Sequence, residues 1–464
     1  MTRSLVRGVS RAPVVGTGLV VVLGAGLIAV PVALIDREPA LAGVAAAVAA
    51  AALVLLVTAG WIGPFGIVLA TLPLPAVLES ESLRITLAAP VTAMVAFGWF
   101  VGAVLRRRSL VPAGLPIRSA VLLAMAFVLA TLFAQHPLVS VREVINLGVL
   151  GALLFLSINV FEQTPGAMRQ VARLMVVVGS VCGAFAVLEG VGVIPGAFPR
   201  SGSGLYRAAL GFGQPNALGL FLVVVFPFAL LEVSQRERPG MRWAAGLAVT
   251  CILGGLLFTF SRGSWLSVLA GMSALVLVGR WRWVLRAWVV AIVFLLIVDV
   301  GSGGLLRDTV QRTIGDWVVE QRALLMLAGV SMFFAYPMLG VGPGGFAESL
   351  DRVGAQIPAL VDFKPTPHNA YVQVAAEAGI VGLAAYALFV AAVLAPLVRT
   401  IRSCSDQTAD DADRRGFGYA VVWSAASILA SGMVIWPLAH GAGQAVIFVV
   451  AMACAIPIMA RHHS

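Results

Sequence analysis

Residues 368–397 read "HNAYVQVAAEAGIVGLAAYALFVAAVLAPL", in which Glu377 is the one acidic or basic side chain after the opening histidine. An α-helix rises 1.5 Å per residue and a bilayer's hydrocarbon core is about 30 Å thick, so about 20 apolar residues are enough to cross it. The four residues before His368, "KPTP" at 364–367, are polar and proline-rich. The chain therefore passes from a loop into a membrane helix at His368. His368 is one of five histidines, and Lys364 is the only lysine. A titratable ring and a cation at the lip of a membrane helix call for a reason.

Working outward, the same apolar texture fills the whole chain. Of 464 residues, 60% are hydrophobic and 11% are charged, against about 25% charged in soluble proteins. The expected fold is an all-α polytopic membrane protein with about fourteen spans, twelve being the lower count. Their limits lie near 14–35, 40–59, 61–78, 85–105, 117–134, 144–161, 171–194, 210–233, 243–260, 263–279, 284–300, 369–397, 418–438 and 443–460. The third contains Pro64, Pro73 and Pro75 and reads as kinked or partial. The run 14–35 follows a basic N-terminus but has no cleavage site after it, so it reads as a first helix and not a signal peptide. The net charge of +10 does not indicate a nucleic-acid partner, because the arginines punctuate the apolar runs instead of forming a basic face. With both termini cytoplasmic, basic residues concentrate in the inner loops: Arg106, Arg107 and Arg108, then Arg280, Arg282 and Arg286, then Arg414 and Arg415. Cys182, Cys251, Cys404 and Cys454 have no CxxC spacing and suggest neither a disulfide framework nor a metal site.

The whole chain, 1–464, reads as one transmembrane domain. A single long external loop, 301–368, lies between spans 11 and 12. Its middle, "DWVVEQRALLMLAGVSMFFAYPMLG" at 316–340, mixes apolar and charged residues and is expected to form an amphipathic helix at the outer surface. Loops of this length in compact proteins are usually functional.

On this topology three side chains reach the outer face. Arg207, in "LYRAALGFGQPNALG", is flanked by Gly202, Gly204, Gly211 and Gly213, and Asn216 follows at a helix start. Glycines allow close backbone approach, and a helix N-terminus favours an anion. Arg262, in "TFSRGSWLS", sits in a tight turn between two spans, where a guanidinium either snorkels to lipid phosphates or clamps an anion in a bidentate way. His368 tops the twelfth span, with Asn369 as the expected cap. At 100° per residue Ala375, Gly379 and Gly382 fall on its face, either to let a neighbouring helix approach or to leave a groove for a lipid chain. Glu377 falls on the opposite side and is expected to be buried and hydrogen-bonded to another helix. Glu189 and Asp299 lie near outer ends of spans and either line a cavity or are simply interfacial. "GVGPGG" at 340–345 matches GxGxxG, but no strand precedes it, so it reads as turns and not a nucleotide loop. No histidine and carboxylate cluster has metal-ligand spacing, so no metal or other cofactor is expected.

His368, Asn369, Gly379 and Gly382 match the H-[N/S/Q]-x9-G-x-x-G pattern of the O-antigen ligase and polymerase superfamily. "SRG" at 261–263 resembles that family's arginine motif, Arg207 to Asn216 its R…G…N segment, and "GVGPGGF" its external loop. The resemblance spans roughly 180–460. It implies a GT-C-like membrane glycosyltransferase of the bacterial cytoplasmic (inner) membrane that works on the extracytoplasmic face. Such an enzyme transfers glycan, with inversion and without metal, from a polyprenyl (undecaprenyl) diphosphate carrier to an acceptor hydroxyl. The acceptor is a glycan or is itself lipid-linked. Carried onto this chain, Arg207 and Arg262 would bind the diphosphate and His368 would serve as base or orient the acceptor. Asn216, Asn369, Tyr371, Lys364 and Gly379 are the expected substrate-binding positions. The long loop tilts the reading toward a polymerase over a ligase. The rival reading is a transporter or flippase, but that calls for ionisable residues near mid-bilayer on several helices, and here the candidate charges cluster at one face.

Overall fold

The structure is a computed structural model, and it describes residues 62–73, 76–80, 83–86, 88–105, 114–196, 198–199, 205–235, 239–301, 317–351, 365–404, 409–435, 438 and 442–461. Their regular elements are helices, apart from one two-stranded antiparallel hairpin. The expected spans 14–35 and 40–59 lie outside the described residues. The third expected span is a ten-residue helix, α1 (Ile62–Thr71), leading into the hairpin β1 (Ala76–Ser80) and β2 (Leu83–Thr86), in which Ala76 pairs with Thr86 and Ser80 with Leu83. Proline at 73 and 75 removes the amide donors that a continuing helix would need.

Every later apolar run forms one helix. In order these are α2 (Ala88–Leu105), α3 (Leu115–Leu132), α4 (Pro137–Gln163), α5 (Ala167–Gly190), α6 (Pro215–Gln235), α7 (Pro239–Phe258), α8 (Arg262–Ser273, continued as a 3-10 turn over Ala274–Val278) and α9 (Trp281–Gly301). The loop helix α10 (Trp317–Ala335) follows, where an amphipathic helix was expected. The chain ends in α11 (Ala370–Ser403), α12 (Ala409–Ser431) and α13 (Gly443–Arg461). Among the described residues, seven of these helices are long and apolar enough to cross a membrane: α3, α4, α5, α6, α7, α11 and α13.

Burial separates centre from rim. In α6 and α13, 72% of the apolar window is buried, against 22% in α3 and 17% in α7. Phe221, Leu222, Val225 and Phe228 of α6 pack with Phe448 and Met452 of α13 and Trp423 of α12 in one core. On the rim Trp243, Leu132 and Val300 are left exposed. Such a surface is stable only against lipid or a partner.

The longest helix is not continuous. Gly379 has φ 62° and ψ −160°, so α11 is two helical pieces meeting at a break. The Met338 carbonyl lies where a Gly379 side chain would be: a Cβ there would come within 2.3 Å of its carbon and oxygen. The helical projection that put Gly379 and Gly382 on the His368 face therefore fails beyond residue 378. Residues 337–340 cover the break. Gly379→Ala is expected to destabilise the protein by roughly 2–5 kcal/mol, since left-handed strain costs about 1–2 kcal/mol and overpacking about 1–3 kcal/mol. A thermal melt of the purified variant in detergent checks this.

Candidate functional site

Two turns and the loop helix α10 meet at one end of the bundle. The first joins α7 to α8. Phe260 is held at φ 48°, and the Ser261 hydroxyl caps α8 by accepting from the Ser264 amide at 3.4 Å and the Ser264 hydroxyl at 2.8 Å. This cap starts a helix at Arg262 with no room for a longer loop, so the guanidinium leaves from the first residue of α8.

Arg207 is brought to the same turn. Its Nε donates to the Thr259 carbonyl at 3.3 Å, and the amide of Ala208 donates to the Phe258 carbonyl at 2.9 Å. The segment is shaped from beneath by Glu189, 4% exposed, whose Oε2 accepts from the amides of Ala209 (3.1 Å) and Leu210 (2.9 Å). That bond supports Leu210 at φ 46°. Glu189 thus orders the backbone of this segment. The side chain of Asp299 lies outside the described residues. Asn216 stands in the first turn of α6, three residues before Gly219, which is pressed against Ser261 and Ser264. The Arg207, Asn216 and Arg262 segments therefore converge.

The second turn, 431–435 after α12, ties Arg262 to the histidine. Val434 packs on Gly263, where a Cβ would come within 2.4 Å of its Cγ2. The Gly432 carbonyl accepts from the Ala370 amide at 2.6 Å. Asn369 is the expected cap: its Oδ1 accepts from the amides of Tyr371 (3.0 Å) and Val372 (3.1 Å). The hydroxyl of Tyr371 donates to the Leu429 carbonyl at 2.7 Å. The side chains of Asn369 and Tyr371 thus fasten the start of α11. Gly379 lies ten residues along, at the break. Lys364 lies outside the described residues, as do Gly202 and Gly204.

The third element is α10, which contributes a residue that sequence reading missed. Gly329 lies against Val372 and Pro367, while Met332, Leu325 and Ala328 are buried in one cluster with Ala376. The helix therefore runs parallel to the first turns of α11, since Gly340, farther along the chain, meets Ala376 to Ala378. Arg322 is seven residues before Gly329, on the same helical face and about 10 Å beyond it, level with the mouth where His368 sits. Burial and the charge of Arg262 both push the Arg322 guanidinium below its usual range. His368 is held at φ 50°, and burial first, then the charge of Arg322, push its imidazole down to about 4. The ring is neutral at physiological pH. Arg322 thus acts electrostatically on His368 and is itself acted on by Arg262. No salt bridge to Arg322 occurs among the described residues. The signal in the sequence was its place at the head of the 325-328-332 apolar stripe.

Like charges gathered in a half-buried site disfavour one another unless an anion joins them. The arrangement suits a phosphate-bearing ligand, which guanidinium groups hold in a bidentate way. A neutral imidazole beside it can accept a proton.

The fold and this site define a polytopic helical membrane protein with a cationic, histidine-bearing mouth at one end of its bundle. Residues 246–387 match the model of the Wzy_C family, described as O-Antigen ligase, which is the superfamily that the motifs resemble. The match runs from α7 to α11, a narrower stretch than the motifs suggested. It takes in Arg262, Arg322, His368 and Gly379 and leaves out Arg207 and Asn216. No curated protein matches the chain. That match supports a ligase or polymerase role in polysaccharide assembly, with glycosyltransferase-like chemistry.

Proposed function

We propose that the protein transfers a glycan from a polyprenyl-diphosphate carrier to an acceptor hydroxyl at the extracytoplasmic face of the bacterial cytoplasmic membrane, without a metal ion. The observation that carries this reading is the convergence of the Arg262 turn and the His368 end of α11 on the 431–435 turn, with α10, which bears Arg322, packed on Val372 and Pro367. Arg262 and Arg322 hold the diphosphate, and Arg207 supports it from the bundle side. The acceptor oxygen attacks the anomeric carbon while His368 takes its proton. The bond from that carbon to the diphosphate oxygen breaks, and the electron pair leaves with the diphosphate. A single displacement inverts the anomeric centre. The guanidinium groups neutralise the charge developing on the leaving group, which other enzymes assign to a divalent ion. The long 301–368 segment favours repeated transfer, so the product is expected to be a ladder of lengths; a ligase would add one glycan per acceptor.

Transfer of a labelled lipid-linked oligosaccharide by the purified protein in the presence of a chelator tests this reading. Activity that needs an added divalent ion would contradict it. The pH profile gives a second test. In the free enzyme His368 protonates only near pH 4, so kcat/KM should stay flat down to about pH 5 and fall below that. A bound anionic donor favours the imidazolium, so the acid limb of kcat should lie at higher pH than that of kcat/KM.

A further inference from the structure

We propose that Glu377 is a positioning residue: it locks the strap 337–346 into the break of α11 and so fixes the short half-helix whose head is His368. This rests on the catalytic reading of His368.

At the break the strap supplies the hydrogen bonds that a continuous helix would make. The amides of Val341 and Gly342 donate to the carbonyls of Ala376 (2.9 Å) and Glu377 (3.0 Å). In return, the amides of Ile380 and Val381 donate to the carbonyls of Pro337 (2.8 Å) and Met338 (3.4 Å). The approach is backbone on backbone: a Cβ on Gly340 would lie 2.4 Å from the Glu377 carbonyl carbon. Gly340 (φ 68°), Gly342 (φ 100°) and Gly344 (φ 69°) each adopt a conformation that other residues resist. They belong to the GxGxxG-like stretch 340–345, whose purpose here is to follow a broken helix.

Glu377 is the side-chain lock. It is 5% exposed. Its Oε2 accepts from the Gly344 amide at 2.9 Å, the Phe346 amide also points to it, and its Oε1 accepts from Gln373 Nε2 at 3.3 Å. Glu143 of α4 approaches the same loop at Gly344. The partner is a loop, where the sequence reading expected a second helix. The piece of α11 from Ala370 to Ala378 is therefore held at both ends. Its head is tied to Gly432 and its foot to the strap, and His368 depends on both.

The effect should appear in kcat, because misplacing a reacting group by about 1 Å costs up to about 10²-fold. Glu377→Ala is expected to lower kcat by about 10- to 100-fold with the donor KM within about threefold. Glu377→Gln keeps an acceptor for Gly344, and the neighbouring Gln373 amide can turn to meet it, so kcat should return to within about threefold of wild type. The double variant Glu377→Ala/His368→Ala should be no slower than His368→Ala alone, since both changes act on one step. If Glu377→Ala does not accumulate in membranes, Glu377→Asp, one methylene shorter, should show the same kcat loss. Wild-type kcat in the alanine or aspartate variant, equal losses in the alanine and glutamine variants, or fully additive losses in the double variant would overturn the proposal. If His368→Ala itself keeps full activity, the functional reading of the histidine falls instead, so the two failures are separable.

Discussion

Replacing His368 by alanine is expected to lower kcat by about 10²- to 10⁴-fold, the usual contribution of a general base. The chain should still fold, because the ring is half-buried and the caps at this end belong to Asn369 and to the Gly432 carbonyl, not to the imidazole. Donor binding should survive, since the anion is held by arginines. The measurement is single-turnover transfer from a labelled lipid-linked oligosaccharide, with donor affinity read separately. Restoration of part of the rate by added imidazole would tie the loss to proton transfer, and a variant that keeps wild-type kcat would remove the histidine from the chemistry.

The second large effect belongs to the cations that face it. Arg262→Ala and Arg322→Ala are each expected to lower kcat/KM by about 10²- to 10³-fold, the range seen when one preorganised charge stabiliser is removed. Lysine at either place should recover only part, because an ammonium cannot make the bidentate contact. Arg322→Gln has a second signature. It removes one of the two causes that depress His368, so the acid limb of the pH profile should move upward. Arg262→Gln should leave that limb nearer its wild-type place, because the charge that acts on His368 is that of Arg322. If Arg322→Gln shifts neither kcat/KM nor the acid limb, α10 carries no part of the site.

Much of this was legible in the sequence, and the exceptions share a cause. Span order came through because burying backbone in lipid leaves helix as the one cheap solution for runs such as 215–235 and 443–461. Arg262 and His368 were visible because each interrupts an apolar run at its end. Arg322 was not. It sits among the near-balanced charges of a long loop, and only the packing of Gly329 on Val372 turns its face toward the histidine. Arg207 was placed by its glycines, and its bond to Thr259 puts it beside the Arg262 turn. The break at Gly379 escaped because a helical projection assumes continuity, whereas the break is made by a strap some forty residues upstream. Asn369 was recognised as a cap, but nothing local showed that Tyr371 would fasten α11 to α12.

The most direct test is a structure of the protein in a lipid nanodisc with a polyprenyl diphosphate bound. The account predicts the diphosphate between the guanidinium groups of Arg262 and Arg322, within hydrogen-bonding distance of both, with the His368 ring alongside. A diphosphate seated elsewhere, with Arg262 and Arg322 turned away from it, would contradict it.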